Sequence, residues 1–485
     1  MNTFIHYPLL LGALACLGAC SVGPQYRAPE IAPIQLASPQ AEDFAQGTAQ
    51  PLAAWWTFFD DAQLARLIES AVAHNHDVRQ ARANLLLARA YVDEQALQRL
   101  PTVTSTAAYQ RSLEQQPVMG ARPSRSLSES WRAGLDLQWE LDLFGRLDHL
   151  NRAAQSRAEA SQADLEQVQL SIAAQVAHAY YAAQGQRQQL QLAHDAVRSW
   201  QVTVGLTEAQ SQAGSGLPEE LESARGNALR AQATIAPLQS QLQRSLYRLQ
   251  VLSGQRPGSF SVDLDPLAPV PLARQLPLGD VDRLIRNRPD VLQAERLLAA
   301  RVEDVGAATA DLYPRLNLGG FIGFFALRDG DLGSASRAFE LTPGLTWPAF
   351  NLGTVRACLR GAQALSQRET AHFEQVLLVA VEEVEGAITQ LAEHQRHLLN
   401  LVQSARHVET ALDIAQRRYS AGSGSYLSVQ QSQRDLLTLR QAIAQAQAAS
   451  YGNAVDLYKA LAWRAPRLYP AALSEANGAL KRNSS

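Results

Sequence analysis

"RAGLDLQWELDLFG" runs from Arg132 to Gly145. Ala133, Leu135, Leu137, Trp139, Leu141 and Leu143 are apolar, and Arg132, Gly134, Asp136, Gln138, Glu140 and Asp142 between them are polar or glycine. A period of two predicts a strand with one apolar face and one wetted face. At about 3.3 Å per residue it reaches about 40 Å, enough to cross a hydrocarbon core about 30 Å thick at the tilt of a barrel strand. The sequence on both sides has the pattern of long helices, so the strand needs a reason to be there.

A second copy of the pattern supplies the context. "DVRQARANLLLARAYVDEQALQRLP", ending at Pro101, aligns with "DVLQAERLLAARVEDVGAATADLYP", ending at Pro314. "WELDLFG" from Trp139 matches "WPAFNLG" from Trp347, and "AGSG" at Ala213 to Gly216 recurs at Ala421 to Gly424. Three anchors in the same order mark an internal duplication. In each copy a helix ends at a proline, two strand candidates follow, and a long helix then runs to a glycine turn and a return helix. The first helix starts at Asp60 or Asp61, either a suitable N-cap, and runs about 40 residues to Pro101. The strand candidates are Thr102 to Gln110, Arg132 to Leu143, Arg315 to Ala326 and Glu340 to Trp347. The long helices run from Gly145 to Ala213 and from Gly353 to Ser420, with return helices from Pro218 to Leu252 and from Tyr426 to Trp463. Leu165, Val168, Ile172, Val176, Ala179 and Ala183 keep an apolar stripe along the first long helix. Such a helix is about 100 Å long, and the two shorter helices of a copy together match it end to end. Rods of this length need neighbours along their whole extent, in coiled-coil fashion.

The chain has 485 residues, 18% of them charged and 46% hydrophobic, and a formal net charge of -3. That balance gives no electrostatic case for binding nucleic acid. "YPLLLGALACLGAC" near the N-terminus is apolar but too short to span a bilayer. Its ending, Leu17-Gly18-Ala19-Cys20, resembles a bacterial lipoprotein signal cut before Cys20, although no Lys or Arg precedes it. An ordinary secretory signal is the alternative. The resemblance implies a lipid on the sulfur of Cys20, and Ser21 in place of Asp is compatible with sorting to the outer membrane. Of Cys16, Cys20 and Cys358, only Cys358 then remains as a free thiol, expected to be small and buried. The expected organisation is a signal over 1–19, a lipid-anchored extended segment over 20–60, a first repeat over 61–254, a Pro-rich connector over 255–288, a second repeat over 289–463 and a tail over 464–485.

The reach and alternation of the strand suit a membrane barrel, one face to lipid and the other to water; the alternative is a half-buried strand in a soluble sandwich, for which nothing else in the sequence supplies a second sheet. Open sheet edges cannot face lipid, and four strands are too few for a barrel of eight or more. The chain must therefore oligomerise, and three copies give twelve strands. At this point "LGAC", "WWTFFDDAQL" from Trp55, "WELDLFGRL" from Trp139, "NRPDV" from Asn287, "LYPRL" from Leu312, "WPAFNLG" and "RRYSAGSGSYLSVQQSQ" from Arg417 together carry a resemblance. The chain resembles the outer-membrane factors of tripartite efflux pumps, TolC-like channels of the lipid-anchored NodT/OprM type. The resemblance implies a mainly α fold with a membrane β-barrel portion: a homotrimer whose long helical barrel continues a twelve-stranded β-barrel. It implies a passive exit duct in the outer membrane that docks to a periplasmic adaptor and an inner-membrane transporter. It implies no catalytic activity and no cofactor beyond the lipid on Cys20.

The family closes the periplasmic end near the helix turns. Matched on "RYSAG", Leu427 falls where relatives place an apolar ring, while Ser428 and Gln431 fall where relatives often place Asp. Glu220, at the matching place in the first copy, keeps a carboxylate, with Glu219 and Glu222 nearby. A threefold ring of Glu220 would focus negative potential; the bland reading is a first-turn acid favoured by the helix dipole. Tyr419 is expected to hydrogen-bond across the closed turns. Gly214, Gly216, Gly422 and Gly424 mark the turns expected to dock the adaptor. Other chemistry is weak. His74 and His76 face different sides of a helix, Glu393, His394 and His397 lack a further ligand, and "GGFIGFF" from Gly319 lacks a phosphate-loop setting and suits a membrane strand. The alternatives are a lipid-anchored periplasmic spacer without a pore and an enzyme tethered through Cys20, for which no convergent polar cluster stands out.

Overall fold

The computed structural model describes residues 21–34, 36–37, 52–116, 124–259, 261–262, 264, 281–327 and 333–461. The signal, Cys20, most of the Pro-rich connector and the tail lie outside the described residues. The elements in order are α1 (Ala62–His74), α2 (His76–Leu97), β1 (Thr102–Gln116), β2 (Ser124–Leu141), α3 (Arg146–Gln212), α4 (Pro218–Ala233), α5 (Ile235–Leu252), α6 (Val281–Arg286), α7 (Pro289–Ala310), β3 (Arg315–Ala326), β4 (Arg337–Thr346), α8 (Leu352–Ser420) and α9 (Tyr426–Leu461). A 3-10 segment, Leu52–Phe59, precedes α1. None of the described helices is long and apolar enough to cross a membrane.

The chain divides into two compact units. One holds the residues up to Glu30, Asn84–Gln162 and Gln293–Glu374; the other holds Ile31–Ala83, Ala163–Leu292 and Gln375 onward. Each unit draws on both sequence repeats.

The first unit contains an antiparallel sheet in the order β1-β2-β3-β4. Its register pairs Val103 with Leu137, Leu135 with Ile322, Leu137 with Gly320, and Ile322 with Phe339. Because side chains alternate, one face collects Val103, Leu135, Leu137, Trp139, Leu318, Ile322, Leu341 and Leu345. The other collects Thr104, Thr106, Arg132, Asp136, Glu140, Asn317 and Glu340. On that polar face Arg132 lies 4.0 Å above the Phe321 ring and donates to Asp136. The first hairpin is longer than its apolar alternation predicts. Beyond Tyr109 its cross-strand pairs include Ser112 with Ser128 at 2.9 Å and Arg111 with Glu129 at 3.2 Å, and one apolar pair, Leu113 opposite Leu127, is too little to make a hydrophobic period.

β2 ends at Leu141, two residues short of the expected Leu143. Asp142 turns aside to accept the backbone N–H of Asp148 at 2.8 Å, capping α3. Arg146 then grips Glu140 with two hydrogen bonds of 2.9 and 2.7 Å, fixing the strand-to-helix junction. The duplication is visible in atomic detail. The Trp139 indole donates to the carbonyl of Arg99, two residues before Pro101, and the Trp347 indole donates to the carbonyl of Leu312, two residues before Pro314.

In the second unit the expected helix from Asp60 or Asp61 to Pro101 is interrupted. Asp61 is the N-cap of α1, accepting from Gln63 and Leu64. Asn75 ends α1 and its side-chain oxygen accepts from Asp77 and Val78, so it caps α2 while its amide reaches the carbonyl of Leu252. The expected return helix from Pro218 to Leu252 also breaks, at Thr234. Pro237 lacks the N–H that would bond the carbonyl four residues back and crowds that carbonyl. By contrast α3 and α8 run unbroken for 67 and 69 residues. Trp55, Tyr180, Leu249, Ile388, Leu391 and Leu457 are among the buried side chains of this unit. Trp55, Phe58 and Phe59 stack on Tyr181, Tyr451 and Tyr458 at centroid distances of 5.3 to 6.2 Å.

Candidate gate at the helix turns

α3 and α8 both end on the same device. Gly214 and Gly422 each have φ of +74°, a left-handed conformation that favours glycine. The N–H of Ser215 bonds the carbonyl of Gln210 and that of Gly214 bonds Ser211. Likewise Ser423 bonds Arg418 and Gly422 bonds Tyr419, all at 2.9 to 3.0 Å. This is the 6→1 and 5→2 pattern of a Schellman cap. The next glycine is fixed by contact. A Cβ at Gly216 would lie 3.0 Å from the Ser211 nitrogen, and one at Gly424 would lie 3.0 Å from the Tyr419 nitrogen. Thus Gly214, Gly216, Gly422 and Gly424 form two matching, exposed turns in the second unit.

The chain leaves the two turns differently. After the first, Leu217 precedes Pro218, and Glu219 and Glu220 stand exposed in the first turn of α4. After the second, Ser425 caps α9: its hydroxyl accepts from the N–H of Leu427 at 3.1 Å, and its carbonyl accepts from the Ser428 hydroxyl at 2.6 Å. Ser428 is therefore engaged in the cap. Leu427 is 71% exposed, an apolar side chain facing no core of its own subunit.

Tyr419 packs against Tyr426 with centroids 5.2 Å apart. The hydroxyl that reaches another helix is that of Tyr426, 3.4 Å from Thr203 of α3. Gln431 donates to the carboxylate of Asp435 one turn on, at 3.2 and 3.3 Å. An acid thus stands beside the neutral Gln431, at the spacing of four that puts two side chains on one helix face and that position-by-position matching does not weigh. Arg225 of α4 bridges Glu208 of α3 at 3.1 Å and Glu222 at 3.0 Å, and Arg440 of α9 reaches Glu409 of α8 at 2.9 Å. These pairs tie each descending helix to its return partner just behind the turn.

Cys20 lies outside the described residues. Cys358, expected to be buried, is exposed on α8 in the first unit. Among the described residues no three His, Cys, Asp or Glu side chains form a group that would hold a metal.

Residues 67–255 and 281–462 match the family described as outer membrane efflux protein. The solvent efflux pump outer membrane protein SrpC of Pseudomonas putida is 30% identical over 457 residues, 93% of this chain and 96% of that protein. The cation efflux system protein CusC of Escherichia coli K12 is 29% identical, over 93% of this chain and 97% of that protein. The solved structure of the outer-membrane channel OprN superposes with a TM-score of 0.86 at 37% identity, covering 92% of this chain and 99% of that one.

Proposed function

The chain belongs to the outer membrane efflux protein family and is the outer-membrane component of an efflux system; from that premise we propose that three copies pool their strands into one closed barrel and form a passive exit duct. The sheet carries this reading. Its apolar face includes Phe339, Leu341 and Leu345, each at least 65% exposed, and among the described residues its outer strands β1 and β4 each have no neighbouring strand on one side. In hydrocarbon each unpaired backbone group costs several kcal/mol, so such edges must close on further copies. Leu86, Leu87 and Tyr91 of α2, and Leu378 of α8, are likewise exposed and suit helix partners from neighbouring subunits. The protein extracted in mild detergent should have the mass of three subunits and should conduct in planar bilayers. A monomer, or a trimer that conducts nothing even with Glu220 and Leu427 replaced, would favour a spacer without a pore.

The turns are the closed periplasmic end of the duct. Leu427 supplies an apolar ring, Glu220 a carboxylate ring, and Tyr419 a contact across subunits, while Ser428 and Gln431 are their neutral neighbours. Gly214, Gly216, Gly422 and Gly424 present the edge that a periplasmic adaptor grips, and an inner-membrane transporter supplies energy and selects cargo. SrpC is named for solvents and CusC for cations, so small molecules as a class are the cargo. Cys20 carries a diacylglycerol and an N-acyl chain, each buried methylene adding about 0.8 kcal/mol to the anchoring. Cys20→Ser should weaken function without abolishing membrane association.

A further inference from the structure

We infer that Ser21, Val22 and Gly23 dock into a built cradle in the first unit, and that this docking, distinct from acylation, sets where the anchor leaves the protein. The membrane consequence rests on the reading of Cys20 as lipidated; the cradle itself stands on its own geometry.

Val22 is held at both backbone ends. Its N–H donates to the carbonyl of Phe144 at 3.2 Å, and its carbonyl accepts from Nε2 of His149 at 3.0 Å. The Ser21 hydroxyl lies 3.3 Å from the same nitrogen. His149 stands in the first turn of α3 and is 1% exposed. Beneath it, Nδ1 lies 2.6 Å from the buried carboxylate of Glu303 on α7, which also accepts from Arg152 at 2.9 Å. A buried ring whose outer nitrogen has a peptide carbonyl as partner is a polar site made for that peptide.

Glycines from three separate stretches close the cradle. A Cβ on Gly306 would fall 2.3 Å from Nδ1 of His149, and one on Gly23 would fall 2.8 Å from the Gly306 Cα. Gly145 has φ of +79°, and a Cβ there would meet the Ser21 hydroxyl oxygen at 2.6 Å. The cradle therefore takes a thin, extended peptide beginning one residue after Cys20, where β2 gives way to α3. A second hold lies further on, where the Tyr26 hydroxyl donates to Glu295. Position 21 thus serves two masters, the sorting of the lipoprotein and the fit against Gly145. For that reason the test alters residues remote from the signal.

In the mature, full-length protein in detergent, hydrogen exchange at the Val22 amide should be slowed at least about tenfold relative to a free peptide. Gly306→Ala and His149→Ala, made separately, should leave the acyl mass on Cys20 unchanged. Both should expose the segment between Ser21 and Glu30 to protease and lower the fraction of assembled protein. Exchange of Val22 at the free-peptide rate in the wild type, or full protease resistance in both variants, would overturn the cradle. A wild-type N-terminal peptide without acyl mass would instead overturn the anchoring reading, with Val22 exchange still deciding the cradle.

Discussion

Arg288, from the "NRPDV" motif, is almost fully enclosed yet stays charged. Burial opposes that charge, but Asp290 and Glu383 outweigh it and hold the pKa above its ordinary value. The guanidinium forks onto Asp290 at 3.0 and 2.7 Å, reaches Glu383 at 2.6 Å, and donates to the carbonyl of Ala460 at 3.0 Å. It thereby joins the start of α7, the middle of α8 and the end of α9. Arg288→Ala should cost about 2–3 kcal/mol, less than a fully buried pair because Glu383 is half exposed, read as a lowered thermal midpoint in detergent. The motif, with Asp290 two residues from Arg288, was legible in the sequence; Glu383 and Ala460 lie far along the chain and were not. Asp282 offers a pH test. The Arg286 hydrogen bond, against some desolvation and with help from the Ile34 N–H, holds its carboxyl below the ordinary 3.8. A depressed folded-state pKa contributes stability that is present above the unfolded value and lost as pH falls through the folded one. Protection of the Ile34 amide should therefore hold above about pH 4 and fade only at more acid pH; Asp282→Asn should remove that dependence.

Helices and strands were legible wherever a period ran unbroken. The ends of α3, α8 and β3 fall within a residue of where apolar spacing, glycine turns and prolines put them. The interruptions were harder to read, because an Asn and a Pro act locally while the stripe continues past them. Asn75 wins a helix break through bonds to Asp77, Val78 and Leu252, and Pro237 breaks the return helix by removing one donor. The far end of the first hairpin was hidden for the opposite reason: its ladder is mostly backbone and polar pairs, with Leu113 opposite Leu127 as one isolated apolar pair. At the turns, the left-handed geometry of Gly422 predicts that Gly422→Ala costs about 1–2 kcal/mol locally, with faster proteolysis between Ser420 and Tyr426. Gly361, inside α8 with an ordinary φ and open space around it, should accept alanine without that effect.

At the scale of the assembly, the need for further copies follows from the number of strands in one chain. The four strands of one chain were legible from the two-residue period. The two glycine turns were legible in position; the capping bond of Ser428 and the nearness of Asp435 to Gln431 depend on side-chain geometry and were not. Leu427→Ala should widen the closed end, raising single-channel conductance and sensitising cells to large antibiotics. Glu220→Gln should reduce the preference of that conductance for cations. The most direct measurement counts fluorescently labelled subunits at each conducting spot in a bilayer, using the Leu427→Ala protein so that pores are open. Three bleaching steps per conducting pore is the predicted result; conduction from one subunit, or three subunits that never conduct, would contradict the account.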